Sequence, residues 1–176
     1  MKNPPFEPGK YYHVYNRGNN GEKLFHEYIN YPYFLELAAR YLPPIANTYS
    51  YCQLPNHFHF IIRIKDFEHL PVAIQQEKKE LHQAFSNWFN AYTKAINKRY
   101  HRSGSLFQEH LKRIEITGEP YLQNLITYVN TNPDHHGIAN YSRYRHSSYQ
   151  SLVSTKPTLV HRNDVIELYG DIENFK

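Results

Sequence analysis

The stretch of this sequence that is best suited to chemistry contains two histidines separated by one residue. His57 and His59 lie in the stretch NHFHFII, whose alternation is typical of a β-strand. Because successive strand side chains point to opposite faces, the two imidazoles share one face and could bind a divalent metal ion together. The same pattern is compatible with one hydrogen-bonded core histidine and one half-exposed histidine. The apolar residues that follow predict a central strand buried on both faces near its end.

A second polar group lies on the helix predicted by YLQNLITYVNTN, which we expect to end at Pro133. Tyr121, Tyr128 and Asn132 are separated by seven and four residues, so they lie on nearly the same face of this helix. If the helix packs beside the histidine strand, Asn132 can supply an amide oxygen as a third metal ligand. Tyr128 then lies one turn away, where a phenol could attack a metal-bound phosphate.

The two tyrosines on this helix face are distinguished by their distance from Asn132. Tyr121 is eleven residues before Asn132, which is about 16 Å along the helix axis. A phenol at that distance could not reach a phosphate on the same ion. We therefore predict Tyr128 as the nucleophile and Tyr121 as a contact or packing residue.

The elements that must position these residues follow from apolar spacing and from the glycine and proline breaks. An extended arm over residues 1–9 precedes a predicted strand at Tyr11–Arg17 and a helix near 31–41. A strand near 45–51 pairs with the histidine strand as a hairpin, and a long helix over 71–98 follows. Leu106-Phe107 and residues 111–116 read as further strand, and a short helix is predicted near 164–169. This order predicts an α+β fold with an antiparallel sheet and packed helices.

Composition limits the classes of protein to which the chain can belong. The 176 residues favour a single domain over 1–176, with a core of about 10–150 and a C-terminal extension over 151–176. Cys52 is the only cysteine, which excludes an intrachain disulfide and a cysteine metal cluster. The N-terminus lacks an apolar signal core, and no run has the length of a membrane span. We therefore expect a cytoplasmic protein with no membrane segment.

The charge balance permits a nucleic-acid partner without requiring one. Lys plus Arg is 20 and Asp plus Glu is 16, giving a net charge of +4 and a sequence pI near 9.0. Cations at the end of the long helix are also explained by the helix dipole. If the partner is a nucleic acid, the candidate contacts to its backbone are Arg17, Lys98, Arg99, Arg102, Lys112, Arg113, Arg143 and Arg145.

Five motifs together resemble the REP-associated tyrosine transposases and related single-tyrosine HUH transposases of bacterial insertion sequences. They are YYHVYNRGNNGEKLF, YCQLPNHFHFII, RSGSLFQ, YLQNLITYVNTNPDHHGI and SSYQ, in the family's order and spanning roughly Tyr11 to Gln150. The resemblance implies a ferredoxin-like α+β core and a divalent cation, Mg²⁺ or Mn²⁺, without a nucleotide cofactor. It also implies cleavage and rejoining of single-stranded DNA near a hairpin during DNA transposition.

The resemblance assigns roles to four residues of this sequence. His57 and His59 correspond to the family's metal-binding histidines, and Asn132 to the polar ligand one turn after the nucleophile. Tyr128 corresponds to the tyrosine that forms a 5′-phosphotyrosine intermediate. The sequence departs from the family's usual pattern at Gln53, Leu54 and Asp134-His135-His136, which affects the expected DNA preference rather than the chemistry.

Two alternatives remain open at this stage. The same fold could serve as a hairpin DNA- or RNA-binding regulatory module with little or no cleavage. The family includes monomers and homodimers, and the sequence does not choose between them.

Overall fold

A four-stranded antiparallel sheet forms the centre of the computed structural model, which describes residues 4–176. The strands are β1 (Tyr11–Arg17), β2 (Ala46–Leu54), β3 (His57–Ile64) and β4 (Lys112–Ile116), in the spatial order β2-β3-β1-β4. The helices are α1 (Asn30–Tyr41), α2 (Val72–Gln75), α3 (His82–Arg99), α4 (Glu119–His135), α5 (Tyr149–Val153), α6 (Arg162–Leu168) and α7 (Ile172–Phe175). With α1 between β1 and β2, and α3 between β3 and β4, this is the ferredoxin-like order. The α+β prediction is confirmed.

The histidine strand β3 is an inner strand, as its apolar run predicts. It pairs with β2 through a tight turn at Pro55-Asn56 and with β1 on its other side. Residues 58–62 are buried without exception. An inner position satisfies the backbone on both edges, so β3 is a rigid base for the side chains it carries.

The two faces of the sheet are covered by different helices. Phe58 lies 5.1 Å from Phe34 of α1, and Phe60 lies 5.1 Å from Trp88 of α3, measured between ring centroids. On the opposite face, Asn130 of α4 donates a hydrogen bond to the Ser50 hydroxyl of β2 at 3.1 Å. Because odd and even residues of β3 face opposite ways, the phenylalanines fix α1 and α3 while the histidines face α4.

The prediction of one continuous helix over 71–98 is wrong. The segment forms the short helix α2 and the long helix α3, with residues 76–81 between them. Glu77 adopts a left-handed backbone conformation with φ of 55°. The intervening run QEKKE offers no apolar side chain to bury, so no packing energy holds these residues in a helix.

The predicted end at Pro133 of the helix that carries Tyr128 is also wrong, because α4 continues to His135. Proline removes one helical N–H donor, but Pro133 is buried and the next turn still forms. The His136 N–H donates to the Asn132 carbonyl at 3.1 Å, and Gly137 then ends the turn with φ of 63°. This additional turn carries His135 and His136 toward the same region as Tyr128.

Leu106 and Phe107 do not form the predicted strand. The described contacts of this segment include one isolated bridge between Gly18 and Phe107 and a hydrogen bond from Asn19 N–H to the Leu106 carbonyl at 2.9 Å. Phe107 instead buries its ring 5.1 Å from Phe89 of α3. Core packing, rather than strand pairing, explains the apolar character of this pair.

The last part of the chain packs back on the outer strand β2. The predicted helix near 164–169 is confirmed as α6, and Leu152, Val160 and Val165 are buried in the same core as the sheet. The Tyr49 hydroxyl of β2 donates to Asp164 at 3.0 Å. Across residues 4–176 no helix has both the length and the apolar character that a membrane span needs.

The predicted N-terminal arm is described from Pro4 onward, and Met1–Asn3 lie outside the described residues. Phe6 stacks on Phe85 of α3 with 4.6 Å between ring centroids, so this part of the arm joins the core.

Candidate active site

The two histidines of β3 face a small cavity on the α4 side of the sheet. The His57 and His59 ring centroids are 5.2 Å apart and the ring planes are perpendicular. The cavity holds about 240 Å³ and lies between β1, β3, β4 and α4. Its lining residues are Tyr15, Asn16, Arg17, His57, His59, Gln108, Lys112, Tyr128 and His136.

The hydrogen bonds of the two imidazoles leave the same ring nitrogen of each without a protein partner. Nδ1 of His57 lies 2.7 Å from Oδ1 of Asn56, and since that oxygen only accepts, His57 donates from Nδ1. Nδ1 of His59 lies 2.9 Å from Nε2 of His13 on β1. The Nε2 atoms of His57 and His59 are therefore the nitrogens that remain for a ligand.

Both imidazoles are held in the neutral form that metal binding requires. Burial, with smaller electrostatic contributions from nearby His136 and Arg17, lowers the pKa of His57 to about 4. Burial also holds the pKa of His59 well below its usual range. Each ring therefore carries a lone pair at neutral pH.

Asn132 is buried beside His57, although it does not line the cavity. It is 0% exposed, and within residues 4–176 neither Oδ1 nor Nδ2 makes a hydrogen bond of normal geometry. The amide nevertheless lies within hydrogen-bonding reach of the His57 imidazole, and this interaction raises the pKa of His57 against the effect of burial. Since buried polar atoms are almost always paired, an unpaired buried amide beside two neutral histidines fits a divalent cation site.

Tyr128 lies at the edge of the same cavity. Its ring centroid is 6.2 Å from His59 and 5.7 Å from His135, and the residue is 41% exposed. Tyr121 is equally exposed but does not line the cavity. Of the two tyrosines of α4, Tyr128 is therefore the one beside the histidines, and its ring is accessible from solvent. Tyr15 of β1 is a second phenol in the cavity, 5.8 Å from His59 between ring centroids.

Two of the predicted backbone-contact residues lie at the cavity. Arg17 is paired with His57 across β1 and β3, and Lys112 is the first residue of β4. Both line the cavity together with Tyr128. They place two positive charges beside the histidines on the outer side of the site.

The other predicted basic residues lie elsewhere, and several are engaged within the protein. Arg99 forms an ion pair with Glu27 at 2.7 Å, and Arg102 forms one with Glu22. Arg113 donates to the Pro4 carbonyl and stacks over Phe6 at 4.5 Å. Lys98 is in the last turn of α3, Arg143 is in a 3₁₀ turn, and Arg145 lies next to His146.

Two residues at the site were missed by sequence reasoning. His13 bonds to His59 across two strands, which depends on the β1–β3 register that the sequence does not reveal. His136 lies 4.8 Å from His57 between ring centroids, because α4 continues past Pro133. The signal for His13 was its position in the alternating stretch YYHVYNR, and the signal for His136 was the unusual histidine pair after the proline.

Two other features, a larger groove and a cluster of acidic residues, are weaker candidates for the functional site. A larger groove of about 960 Å³ lies between α3 and the connection to β4, but the two histidines and Tyr128 do not line it. Asp66, Glu68 and His69 lie close together beyond the other end of β3, where Asp66 already binds Arg63 at 2.7 Å. The histidine cavity is the better candidate, because its two imidazoles are neutral and at least half-buried, with Nδ1 of each already hydrogen-bonded.

Comparison with known proteins supports the fold. No family model matches the chain, and no curated protein is similar to it. The chain has a ferredoxin-like α+β fold. A solved structure that shares it is a REP-associated tyrosine transposase bound to a REP hairpin, with a TM-score of 0.62 and 18% identity over 94% of this chain and 92% of that one.

Proposed function

We propose that this chain is a metal-dependent tyrosine transposase that cleaves and rejoins single-stranded DNA beside a hairpin. The observation that carries the proposal is the convergence of His57, His59 and Tyr128 on one cavity, with the unpaired Asn132 amide beside His57. The similar solved structure supports a hairpin as the DNA class, since that protein holds a REP hairpin.

In the proposed reaction, Tyr128 exchanges one phosphodiester bond for another. The phenolic oxygen forms a bond to phosphorus, and the bond from phosphorus to the 3′ oxygen breaks. The products are a 5′-phosphotyrosine and a free 3′-hydroxyl. The phenol loses one proton and the 3′ oxygen gains one, so the protons balance. Because the number of phosphodiester bonds is conserved, rejoining needs no nucleotide cofactor.

The residues proposed to hold Mg²⁺ or Mn²⁺ are His57 and His59 through Nε2, and Asn132 through Oδ1. When bound there, such a cation would polarise a phosphoryl oxygen and offset the charge that develops during attack. The protein's own contribution is to keep these donors neutral and fixed on a central strand and a packed helix.

Arg17 and Lys112 are the proposed contacts to the DNA backbone next to the scissile phosphate. They line the same cavity as Tyr128, and cations there attract phosphates of any sequence. We assign Arg99 and Arg102 a weaker role, because both are already paired with glutamates.

Substitution of the two tyrosines of α4 tests the proposal. Wild-type protein incubated with Mn²⁺ and end-labelled hairpin DNA from the region flanking its gene should give a covalent adduct on a denaturing gel. Tyr128→Phe should give none, whereas the matched control Tyr121→Phe, at an equally exposed position, should still form it. An adduct in Tyr128→Phe, or hairpin binding without any adduct in the wild type, would contradict the assignment and favour a binding module.

A further inference from the structure

The hydrogen bond between His13 and His59 determines which nitrogen of His59 can bind a cation. Both residues are buried, with exposures of 7% and 9%, and His13 Nε2 lies 2.9 Å from His59 Nδ1. Two neutral imidazoles at this distance share one proton, and either ring can donate it. The two arrangements have opposite consequences for the cavity.

If His13 donates, His59 accepts at Nδ1 and must carry its own proton on Nε2. That proton would point into the cavity, and His59 could not be a ligand. If His59 donates from Nδ1, its Nε2 keeps a lone pair for a cation. In the second arrangement His13 accepts at Nε2 and carries its proton on Nδ1.

We infer that His13 is a positioning residue that accepts a hydrogen bond from His59 Nδ1 and so keeps the Nε2 lone pair of His59 available for the metal. The inference deepens the proposed function, on which it rests for the metal site. Metal-binding histidines usually donate their second N–H to a carboxylate, a carbonyl or water, and here a second imidazole takes that place.

The neighbouring histidine supports this arrangement. His57 donates from Nδ1 to the amide oxygen of Asn56, which leaves its Nε2 for a ligand. Both histidines of β3 then present the same nitrogen to the cavity, although their Nδ1 partners lie on different elements. Asn56 precedes β3, whereas His13 is in the middle of β1.

The protonation pattern is read directly by nuclear magnetic resonance of metal-free protein labelled with ¹⁵N in its histidine rings. Long-range ¹H–¹⁵N correlation separates protonated from unprotonated ring nitrogens, and His13→Gln and His59→Gln spectra identify the two residues. We expect His59 to be protonated at Nδ1 and His13 at Nδ1. Protonation of His59 at Nε2, with His13 as the donor, would overturn the inference.

Mn²⁺ affinity, measured by electron paramagnetic resonance, gives a second readout. His13→Leu removes the acceptor and should weaken Mn²⁺ binding on the order of 10- to 100-fold. His13→Gln, whose amide oxygen can occupy the position of Nε2, should restore affinity to within a few-fold of wild type. His161→Leu is the control, because His161 stacks on Tyr49 at 5.9 Å and lies outside the cavity.

Two affinity results would overturn the inference. Unchanged Mn²⁺ binding in His13→Leu would show that His13 does not position His59, and equal loss in both His13 variants would indicate that His13 itself binds the metal. If His13→Leu does not fold, the glutamine variant and the wild-type spectrum still decide. Neither readout uses DNA, so absence of hairpin cleavage refutes the proposed function alone.

Discussion

Replacement of Asn132 by alanine should make the metal-free protein more stable while it destroys the metal site. The Asn132 amide is completely buried, and within residues 4–176 neither of its polar atoms makes a hydrogen bond of normal geometry. A buried, unsatisfied polar group costs about 1–3 kcal/mol, and alanine is also the better helix former by about 0.5 kcal/mol. After subtraction of the packing lost with the side chain, we expect a gain of about 1–2 kcal/mol in the free energy of unfolding.

Asn130 provides a matched control two residues earlier on the same helix. It is 2% exposed, donates to Ser50 and to the Ile126 carbonyl, and accepts from Ser148 at 2.7 Å. Asn130→Ala removes the same atoms and gains the same helix propensity, but it breaks three hydrogen bonds worth about 1 kcal/mol each and leaves buried partners unpaired. We expect this variant to lose about 2–4 kcal/mol of stability.

Urea unfolding in the presence of a chelator, and again with Mn²⁺, measures both effects. Wild type should gain about 2.7 kcal/mol at a Mn²⁺ concentration of 100 times its Kd, whereas Asn132→Ala should gain little. The reasoning is refuted if Asn132→Ala loses stability in chelator as Asn130→Ala does. In that case the Asn132 amide would be a structural residue with hydrogen-bond partners of its own.

Three further predictions concern the same site. His57→Ala should abolish cleavage and Mn²⁺ binding but retain part of the hairpin affinity, because backbone contacts supply much of it; normal cleavage would remove the histidine strand from the mechanism. Arg17→Ala and Lys112→Ala should each reduce the slope of log affinity against log salt by about 1, and Arg99→Ala, which breaks an ion pair with glutamate, should change it less. The metal-free protein should lose stability as pH falls from 6.5 toward about 4, because burial lowers the pKa of His13 to about 4 and the unfolded chain binds the proton first. His13 contributes at most about 2 kcal/mol of this loss at about pH 5, and the lowered pKa values of His57 and His59 add to the total. His13→Gln should remove the contribution of His13; equal pH dependence in both proteins would contradict the assignment.

The prediction of the candidate site rested on two periodicities. Alternation in β3 put His57 and His59 on one face, and the four-residue step in α4 put Asn132 one turn from Tyr128. Both are properties of a single element, so they can be deduced without the tertiary structure. The predicted order of the strands and the main helices then required an antiparallel sheet, which the structure confirms.

The remaining features depend on contacts between elements, which a single sequence does not specify. The partner of His59 is set by the register between β1 and β3. The extra turn of α4 depends on burial of Pro133, which outweighs the helix-breaking tendency of proline. The sequence could not show that Arg99 and Arg102 are already engaged within the protein. Their ion-pair partners, Glu27 and Glu22, come from a distant part of the chain.

Mapping the covalent adduct by mass spectrometry is the most direct test of the proposed function. Wild-type protein is incubated with Mn²⁺ and hairpin DNA, the DNA is trimmed with nuclease, and the protein is digested with trypsin. The peptide Ile114–Arg143 contains Tyr121, Tyr128 and Tyr141, and its fragment ions locate the modified residue. We predict a 5′-linked nucleotide on Tyr128 alone, and a nucleotide on another residue, or unmodified peptide after hairpin cleavage, would contradict the proposed mechanism.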